Sequence, residues 1–233
     1  MNSKRIIDIF VSLMGLFVFS PILLIITFFV YIRDFKSPLY KAERVGKEGN
    51  IFTMIKLRSM IHNADSISVE STANDDRRIT GIGKIIRRYK LDEISQLWNV
   101  LIGDMSLVGP RPNTQNGVKT YSEYENKLLS VKPGITDFSS IIFSDEGAIL
   151  EGSDDPDRDY DLLIRPWKSR FGVFYIMNSS LLLDLKIILI TVVSIFSRKY
   201  GLLAISKLLI ILNADENLVI ISQRKRKLSD EIV

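Results

Sequence analysis

The first 36 residues contain the longest apolar run of the chain. Residues 9–32 are 24 residues without a charge. As a straight helix they would rise about 36 Å, enough to cross the ~30 Å hydrocarbon layer of a bilayer. Pro21 follows Ser20 near the midpoint, and a proline inside a helix removes an N–H donor and favours a kink. Each arm would then measure about 18 Å, too short to cross the layer alone.

Both flanks of this run are basic, with Lys4 and Arg5 before it and Arg33 and Lys36 after it. Because basic flanks prefer the cytoplasmic side of a membrane, both ends are expected there. We therefore predict a re-entrant helix–break–helix broken at Ser20 and Pro21, in which the Ser20 hydroxyl binds a carbonyl freed by the proline. A single kinked span is the alternative. A cleaved signal peptide fits less well, because the run is too long and lacks an A-x-A-like cleavage site.

Extended runs and glycines dominate the next segment. Residues 39–60 read as two extended runs around the glycine-rich stretch 46–50, a pattern that predicts a β-hairpin. Lys56 and Arg58 alternate along the second run, so they are expected on one face of it. A polar loop and then a helix are predicted next, over residues 63–80 and 82–88.

Residues 90–102 show an amphipathic pattern with a distinctive start. Four apolar residues recur at helical spacing, namely Leu91, Ile94, Leu97 and Trp98. This spacing predicts a packed helix. Its first turn carries two adjacent carboxylates, Asp92 and Glu93.

The remaining pattern alternates loops with helices. Loops are predicted over residues 103–113 and 144–161, and helices over 121–131 and within 162–197. Residues 202–212 form a second apolar run, too short to span a membrane and suited to an interfacial or a core helix. The basic tail at 223–227 is expected to be solvated, or to touch anionic lipid.

Composition adds a membrane component to an otherwise globular chain. Of the 233 residues, 46% are hydrophobic, yet 25% are charged. This mixture indicates a globular part with membrane-embedded segments, and not a multi-span transporter. We therefore predict an α+β, mostly helical fold with a re-entrant membrane helix, a small β-hairpin and amphipathic interfacial helices. The predicted domains are residues 1–36, 37–200 and 201–233.

The residue types present restrict the chemistry. The chain has no cysteine and one histidine, His62, which excludes disulfides, thiolate metal sites and zinc sites built from several His or Cys. Any metal must use oxygen ligands, as Mg²⁺, Mn²⁺ or Ca²⁺ do. His62 has no orienting partner set, so we interpret it as non-catalytic. The net charge of +4 favours anionic lipid over nucleic acid as a partner, because the basic residues are scattered without interleaved aromatic side chains.

Asp92 and Glu93 admit two explanations. Carboxylates in the first turn of a helix are common, because they favour the positive end of its dipole. The alternative is catalysis, and it needs cations nearby. The chain offers Lys56, Arg58, Arg87 and Arg111, the last held between two prolines in "GPRP". Carboxylates, arginines and a hard cation together are typical of phosphoryl transfer, although no Walker loop is present.

Several of these segments carry a family resemblance. The apolar segment broken at Ser20 and Pro21, "KLRSM", "KLDEISQLWNVLIGDMSLVGPRP", "KPGIT" and "LDLKIILIT" resemble the bacterial sugar transferases that are monotopic polyprenol-phosphate phosphoglycosyl transferases. The likeness spans residues 3–191. It implies transfer of a sugar 1-phosphate from a UDP-sugar to polyprenol phosphate, with release of UMP, at the cytoplasmic face of the bacterial inner membrane.

The resemblance also implies roles for individual residues. Asp92 corresponds to the nucleophile and Glu93 to a Mg²⁺ ligand, while Ser20 and Pro21 mark the break of the re-entrant helix. Arg87 and Arg111 would stabilise charge on the transferring phosphoryl group, and Lys56 and Arg58 would bind substrate phosphate.

Two departures from the family pattern affect these expectations. Ser95 stands where the family usually has proline, so a looser turn is expected there. After "KPGIT" the chain reads "DFSSIIFSDEG", without the family's usual arginine, which puts the donor sugar in doubt but not the reaction. A membrane phosphohydrolase acting on a lipid diphosphate and a non-enzymatic membrane scaffold are the alternative functions. Dependence on a nucleotide sugar separates both from the transferase.

Overall fold

The computed structural model describes residues 3–64, 71–225 and 228. The chain is mostly helical with two small sheets, which confirms the predicted class. The helices are α1 (Ser3–Asp34), α2 (Gly81–Arg88), α3 (Leu91–Ile94), α4 (Leu97–Ile102), α5 (Gln115–Lys119), α6 (Glu123–Asn126), α7 (Phe138–Ile142), α8 (Glu146–Ile149), α9 (Pro156–Asp159), α10 (Arg165–Asn178), α11 (Leu181–Phe196), α12 (Arg198–Ile211) and α13 (Glu216–Ser222). The strands are β1 (Leu39–Val45), β2 (Ile51–Leu57), β3 (Ser106–Val108) and β4 (Gly134–Thr136).

Two compact units make up the chain. Unit 1 comprises Met1–Ser66, Arg77–Leu107 and Pro112–Ile135, and unit 2 comprises Ile67–Asp76, Val108–Arg111 and Thr136–Val233. Each unit is therefore assembled from segments distant in sequence. The predicted domains 1–36, 37–200 and 201–233 stay predictions about how the chain is organised at the membrane.

Helix α1 is one continuous helix of 32 residues with Pro21 inside it. It is the one described helix that is long and apolar enough to cross a membrane. The structure does not confirm the predicted break at Ser20 and Pro21. Its local chemistry explains the continuity: proline cannot donate to the carbonyl of Phe17, and the Ser20 hydroxyl donates to that oxygen instead, at 2.7 Å. The predicted use of the Ser20 hydroxyl is thus confirmed, without a break in the helix.

The predicted hairpin is present in unit 1. Strands β1 and β2 pair antiparallel from Leu39 opposite Leu57 to Val45 opposite Ile51. Glu48 and Gly49 take left-handed backbone conformations in the loop, with φ of 58° and 79°, which lets the chain reverse within five residues. Arg58 lies one residue beyond β2, and both it and Leu57 are buried. The inside–outside alternation of side chains therefore stops at the end of β2, and the prediction that Arg58 shares a strand face with Lys56 does not hold.

The predicted helix over residues 90–102 is two short helices, α3 and α4. The Ser95 hydroxyl lies 2.8 Å from the carbonyl oxygen of Asp92 and 3.2 Å from that of Ile55, and such side-chain bonding competes with the helical ladder. The prediction that all four residues of the apolar stripe pack inside is wrong for Trp98, which is 48% exposed. The buried residues here are Ser95, Gln96, Asn99 and Val100.

Some predicted loops contain short elements. The segment 103–113 includes β3, which pairs with β4, and the acidic segment 144–161 includes α8 and α9. The predicted helix over 121–131 is shorter, consisting of α6 and a 3₁₀ turn. Residues 65–70 of the predicted polar loop and Arg226 and Lys227 of the basic tail lie outside the described residues.

Unit 2 is built around α7, against which α10, α11 and α12 pack. Phe138 of α7 and Trp167 and Phe171 of α10 are almost completely buried. The second apolar run belongs to α12 and lies partly in this core, because Ile205 and Leu209 have no exposed surface. The core interpretation of that run is therefore confirmed for one face of α12, and an interfacial role of its exposed face stays a prediction.

Candidate functional site

The acidic pair lies in the first turn of α3. Lys90 precedes it with a left-handed backbone, φ 53° and ψ 31°, and this conformation lets the chain turn sharply from α2 into α3. Asp92 and Glu93 are both partly exposed. Carboxylates at this end of a helix are also favoured by its dipole, so the local structure accommodates both explanations of the pair.

Side chains of α3 and α4 fix this turn to strand β2. The Ser95 hydroxyl reaches the Ile55 carbonyl. Both ends of the Asn99 side-chain amide bind the strand backbone: its nitrogen donates to the Thr53 carbonyl at 2.7 Å, and its oxygen accepts from the Ile55 N–H at 3.0 Å. The turn at Ser95, which was expected to be looser, is therefore attached to β2 in the stretch that leads directly to Lys56.

One apolar cluster of unit 1 lies next to the backbone of three predicted site residues. Its buried members are Val30, Leu57 and Ile86, and Leu91 packs against them. Three predicted site residues directly adjoin members of this cluster in the sequence: Lys56 precedes Leu57, Arg87 follows Ile86, and Asp92 follows Leu91. Packing of three apolar residues thus brings the backbone positions of Lys56, Arg87 and Asp92 close to one cluster of unit 1.

Arg87 has a defined position in this region. It lies in the last turn of α2, and its Nε donates to the Ser59 hydroxyl at 3.0 Å. The same helix approaches Ser59 closely, since a Cβ added to Gly83 would lie 1.8 Å from the Ser59 carbonyl oxygen. A glycine at this position therefore permits the contact that orients Arg87.

Arg58 is held by the end of α1. Its Nη1 and Nη2 donate to the two carboxylate oxygens of Asp34 at 2.7 and 2.6 Å, and Arg58 is only 7% exposed. The bond from Arg58 lowers the pKa of Asp34 from 3.8 to about 2, although desolvation opposes it. The prediction that Arg58 binds substrate phosphate stays a prediction, and a phosphate would have to compete with Asp34.

Arg111 lies in unit 2, beside a second set of ionisable groups. Lys168 pairs with Glu146 and lies 5.0 Å from the centre of the Tyr160 ring. Burial is the largest influence on the pKa of Lys168 and acts to lower it, as the charge of Arg111 also does, but Tyr160 and Glu146 outweigh both effects and raise the pKa. Lys168 therefore stays protonated at neutral pH in the surroundings of Arg111.

Both ends of α1 bind the body of unit 1, a feature that sequence reasoning missed. Near the N-terminal end, Asp8 accepts from the Leu107 N–H at 3.0 Å and from the Ser106 hydroxyl at 2.9 Å. At the other end, Asp34 holds Arg58. The one available signal was that Asp8 and Asp34 flank the uncharged run. Between these anchors, large apolar side chains are exposed over most of the helix surface, among them Phe10, Leu13, Phe17, Leu24, Phe28 and Tyr31.

The part of the chain that the structure describes offers few ligands for a cation. Among the described residues, no group of three or more His, Cys, Asp or Glu side chains converges as a metal site. Mg²⁺ commonly uses only one or two carboxylates and completes its shell with water and substrate phosphates. The pair Asp92 and Glu93 fits such an open site, and the residue types exclude a closed one built from sulfur or imidazole.

Comparisons with known proteins agree with these features. Residues 1–198 match the bacterial sugar transferase family. The chain is 34% identical over 191 residues to the uncharacterized sugar transferase EpsL of Bacillus subtilis, covering 81% of this chain and 85% of EpsL. It is 29% identical over 205 residues to the exopolysaccharide production protein ExoY of Sinorhizobium fredii, covering 82% and 84%.

A longer relative carries a more specific name. The chain is 35% identical over 200 residues to the undecaprenyl-phosphate galactose phosphotransferase of Salmonella typhimurium. The alignment covers 79% of this chain but only 38% of the Salmonella protein. The shared region therefore corresponds to less than half of that relative.

Proposed function

The chain belongs to the bacterial sugar transferase family, and we propose from that premise that it transfers a sugar 1-phosphate from a UDP-sugar to polyprenol phosphate. The products are a polyprenyl-diphosphate-sugar and UMP. The observation that carries the proposal is the fixed Asp92–Glu93 turn in one region with Lys56 and Arg87. The names of relatives such as the Salmonella phosphotransferase support the acceptor class.

The reaction proceeds in two displacement steps. An Oδ of Asp92 attacks the β-phosphorus of the UDP-sugar, the bond from that phosphorus to the bridging oxygen breaks, and UMP leaves with this oxygen. A phosphate oxygen of the polyprenol phosphate then attacks the same phosphorus, and the bond to Asp92 breaks. Splitting one substitution into two steps is the usual advantage of a carboxylate nucleophile.

The other residues stabilise charge. Lys56 and Arg87 bind the diphosphate and the transferring phosphoryl group, where arginine offers a planar, bidentate donor. The role of Arg111, which belongs to unit 2, stays a prediction from the sequence. Glu93 is the protein ligand of a Mg²⁺ ion, which supplies charge neutralisation at the diphosphate when bound. Arg58 retains Asp34 and so positions the segment that follows Lys56.

The membrane arrangement is monotopic, at the cytoplasmic face of the inner membrane. A straight spanning helix would place its two ends on opposite sides of the bilayer. Asp8 and Asp34, near opposite ends of α1, both bind unit 1, which supports one location for both ends. The exposed apolar surface of α1 contacts lipid, and the acceptor phosphate then lies at the headgroup level beside the acidic pair.

A donor screen tests this function. The full chain in lipid nanodiscs is incubated with polyprenol phosphate, Mg²⁺ and each member of a panel of UDP-sugars, and UMP is measured. Release of UMP with one donor, its loss in EDTA and its recovery with Mg²⁺ are expected. Glu93→Gln should weaken the response to Mg²⁺. Phosphate release from a lipid diphosphate without nucleotide would instead support the phosphohydrolase, and full turnover in EDTA would exclude the metal.

A further inference from the structure

The segment that follows the family match is an ordered part of unit 2. The match ends at residue 198, where α12 begins. Helices α12 and α13 pack together, and their Ser206 and Ser222 hydroxyls lie 2.6 Å apart in the buried interface. Leu218 and Ile221 of α13 are also buried. This segment therefore places its polar residues at defined positions in unit 2.

Two arginines of this segment converge on one carboxylate. Arg198 Nη2 lies 2.8 Å from Asp145 Oδ2, and Arg224 Nη2 lies 3.3 Å from the same oxygen. The Arg224 guanidinium also lies 5.6 Å from the centre of the Phe143 ring, and its side chain is only 9% exposed. We refer to Asp145, Arg198 and Arg224 as the arginine pair site.

The hydrogen bonding of this site is incomplete. Within the described part of the chain, Nε and Nη2 of Arg198 and Nε and Nη1 of Arg224 are buried and have no acceptor in hydrogen-bond geometry. Oδ1 of Asp145 is likewise buried without a donor, so four unsatisfied donors face one unsatisfied acceptor. Arg198 and Asp145 thus form an ion pair, but the N–H groups of Arg198 Nη2 do not point at the carboxylate well enough to form a hydrogen bond. Each buried, unsatisfied donor costs about 1–3 kcal/mol, and more when it is charged. A single acceptor group with several oxygens would satisfy more than one of these donors.

The charge of the site is also unbalanced. Two guanidinium groups share one carboxylate, which leaves an excess of one positive charge. The neighbouring acid, Glu146, pairs with Lys168 and so is already matched by another cation. Partly buried charge without a partner is unfavourable. An anion would therefore be stabilised at this position.

We propose that the arginine pair site binds a phosphate oxyanion. Phosphate presents several acceptor oxygens to the donors of two guanidiniums, the geometry for which arginine is suited. Asp145 holds the two arginines together when no anion is bound. Arg198 is 40% exposed along its side chain and provides the route of access. The phosphate comes from a lipid headgroup or from a soluble phosphate compound, which share this chemistry. The proposal is independent of the proposed catalytic residues.

Arginine modification tests the site in the full-length protein. The chain is placed in zwitterionic nanodiscs and treated with phenylglyoxal, and the modification rate of Arg198 is measured by peptide mass spectrometry. Arg170, which stacks at 4.8 Å on the Trp167 ring in the same unit, is the internal control. Inorganic phosphate at about twice its Kd should slow modification of Arg198 about threefold, while Arg170 reacts as before.

A second arm distinguishes the source of the phosphate. Nanodiscs that contain phosphatidylglycerol, without soluble phosphate, should protect Arg198 if the ligand is a lipid headgroup. Protection in either arm supports the site, and the protecting arm identifies the source. Equal rates for Arg198 in both arms and in plain zwitterionic discs would overturn the proposal.

Single substitutions that each remove one charge provide matched variants. Asp145→Asn removes the competing carboxylate, so phosphate should protect Arg198 at a lower concentration than in the unmodified chain. Arg224→Gln should abolish protection, whereas Lys199→Gln, an exposed neighbour with the same loss of charge, should not. A purely structural ion pair makes the opposite forecast for Asp145→Asn, namely a lower unfolding temperature with no gain in phosphate protection.

Discussion

The Arg58 guanidinium binds both carboxylate oxygens of Asp34, at 2.7 and 2.6 Å, and so connects the end of the apolar helix α1 to the strand that carries Lys56. Arg58 also lies 3.4 Å from the carbonyl oxygens of Val30 and Lys36. A buried arginine with these contacts defines where α1 ends. The first consequence concerns stability.

Asp34→Asn should destabilise unit 1, because it leaves the Arg58 charge buried without its partner. Since the pKa of Asp34 is lowered from 3.8 to about 2, the pair contributes its full stability above about pH 4 and loses it as the pH falls towards 2. The unfolding temperature of the native chain should therefore decline more steeply than that of Asp34→Asn over this range. Tryptophan fluorescence during heating at each pH measures both.

An exposed ion pair provides the control for this experiment. Lys47 and Glu48 lie 3.1 Å apart in the hairpin loop, with side chains 46% and 69% exposed. Exposed pairs contribute about 0–1 kcal/mol, so Glu48→Gln should leave the unfolding temperature nearly unchanged. Equal effects of Glu48→Gln and Asp34→Asn would contradict the role given to Arg58.

Two glycines of α2 should differ in their response to alanine. A Cβ on Gly83 would lie 1.8 Å from the backbone oxygen of Ser59, whereas a Cβ on Gly81 would have no atom within 4 Å. Overpacking typically costs about 1–3 kcal/mol, so Gly83→Ala should lower the free energy of unfolding by that amount or more. It should also lower activity, because the shift moves Arg87 relative to Ser59. Gly81→Ala should be neutral in both denaturant unfolding and turnover.

Local rules predicted the elements that depend on local interactions. Glycines at 46 and 49 between alternating residues predicted the hairpin, and the carbonyl freed by Pro21 predicted the Ser20 hydrogen bond. The division between α3 and α4 could not be predicted in this way, because it depends on the contact between Ser95 and Ile55, 40 residues apart. Strands β3 and β4 have three residues each, too few to produce a recognisable alternation.

The candidate site shows the same distinction. The acidic pair and the cations were identifiable as residue types, and the apolar neighbours of Lys56, Arg87 and Asp92 explain how folding assembles them. The sequence could not show that Arg58 is engaged by Asp34, since a bond over 24 residues leaves no periodic signal. The Asp8 contacts with Ser106 and Leu107 span 98 and 99 residues and were missed for the same reason.

Topology provides the next test. Because α1 is bonded to unit 1 near both ends, Ser3 and Lys36 should face the same compartment. The chain has no cysteine, so Ser3→Cys and Lys36→Cys can each be labelled from either side of the membrane in intact cells. Both should react only with a reagent that enters the cytoplasm. Opposite accessibility would show a spanning helix and contradict the monotopic arrangement.

Pro21→Ala extends that experiment. Alanine supplies the N–H that proline lacks and removes the preference of proline for a kink, so the variant should favour a full span and lower activity. Ser20→Ala keeps the proline but removes the hydroxyl bound to the Phe17 carbonyl, and it should not convert α1 into a span. Labelling at Lys36→Cys in each background measures the difference.

The covalent step gives the sharpest prediction for Asp92. With a UDP-sugar but no polyprenol phosphate, about one equivalent of UMP per protein should appear, and Asp92 should carry the mass of a phospho-sugar. Asp92→Asn keeps the shape of the side chain but removes the nucleophile, so turnover should fall by about 10³-fold or more.

An acidic residue in the first turn of another helix provides the control that distinguishes a catalytic role of Asp92 from stabilisation of the helix start. Glu123 lies in the first turn of α6, so Glu123→Gln removes a comparable charge without touching the site, and it should retain activity. If Asp92 serves only as a helix-start acid, Asp92→Asn should behave like Glu123→Gln, because loss of a charge from the first turn of a helix costs only about 0.3–1 kcal/mol. Near-normal turnover in Asp92→Asn, with folding and membrane association confirmed, would exclude Asp92 as the nucleophile.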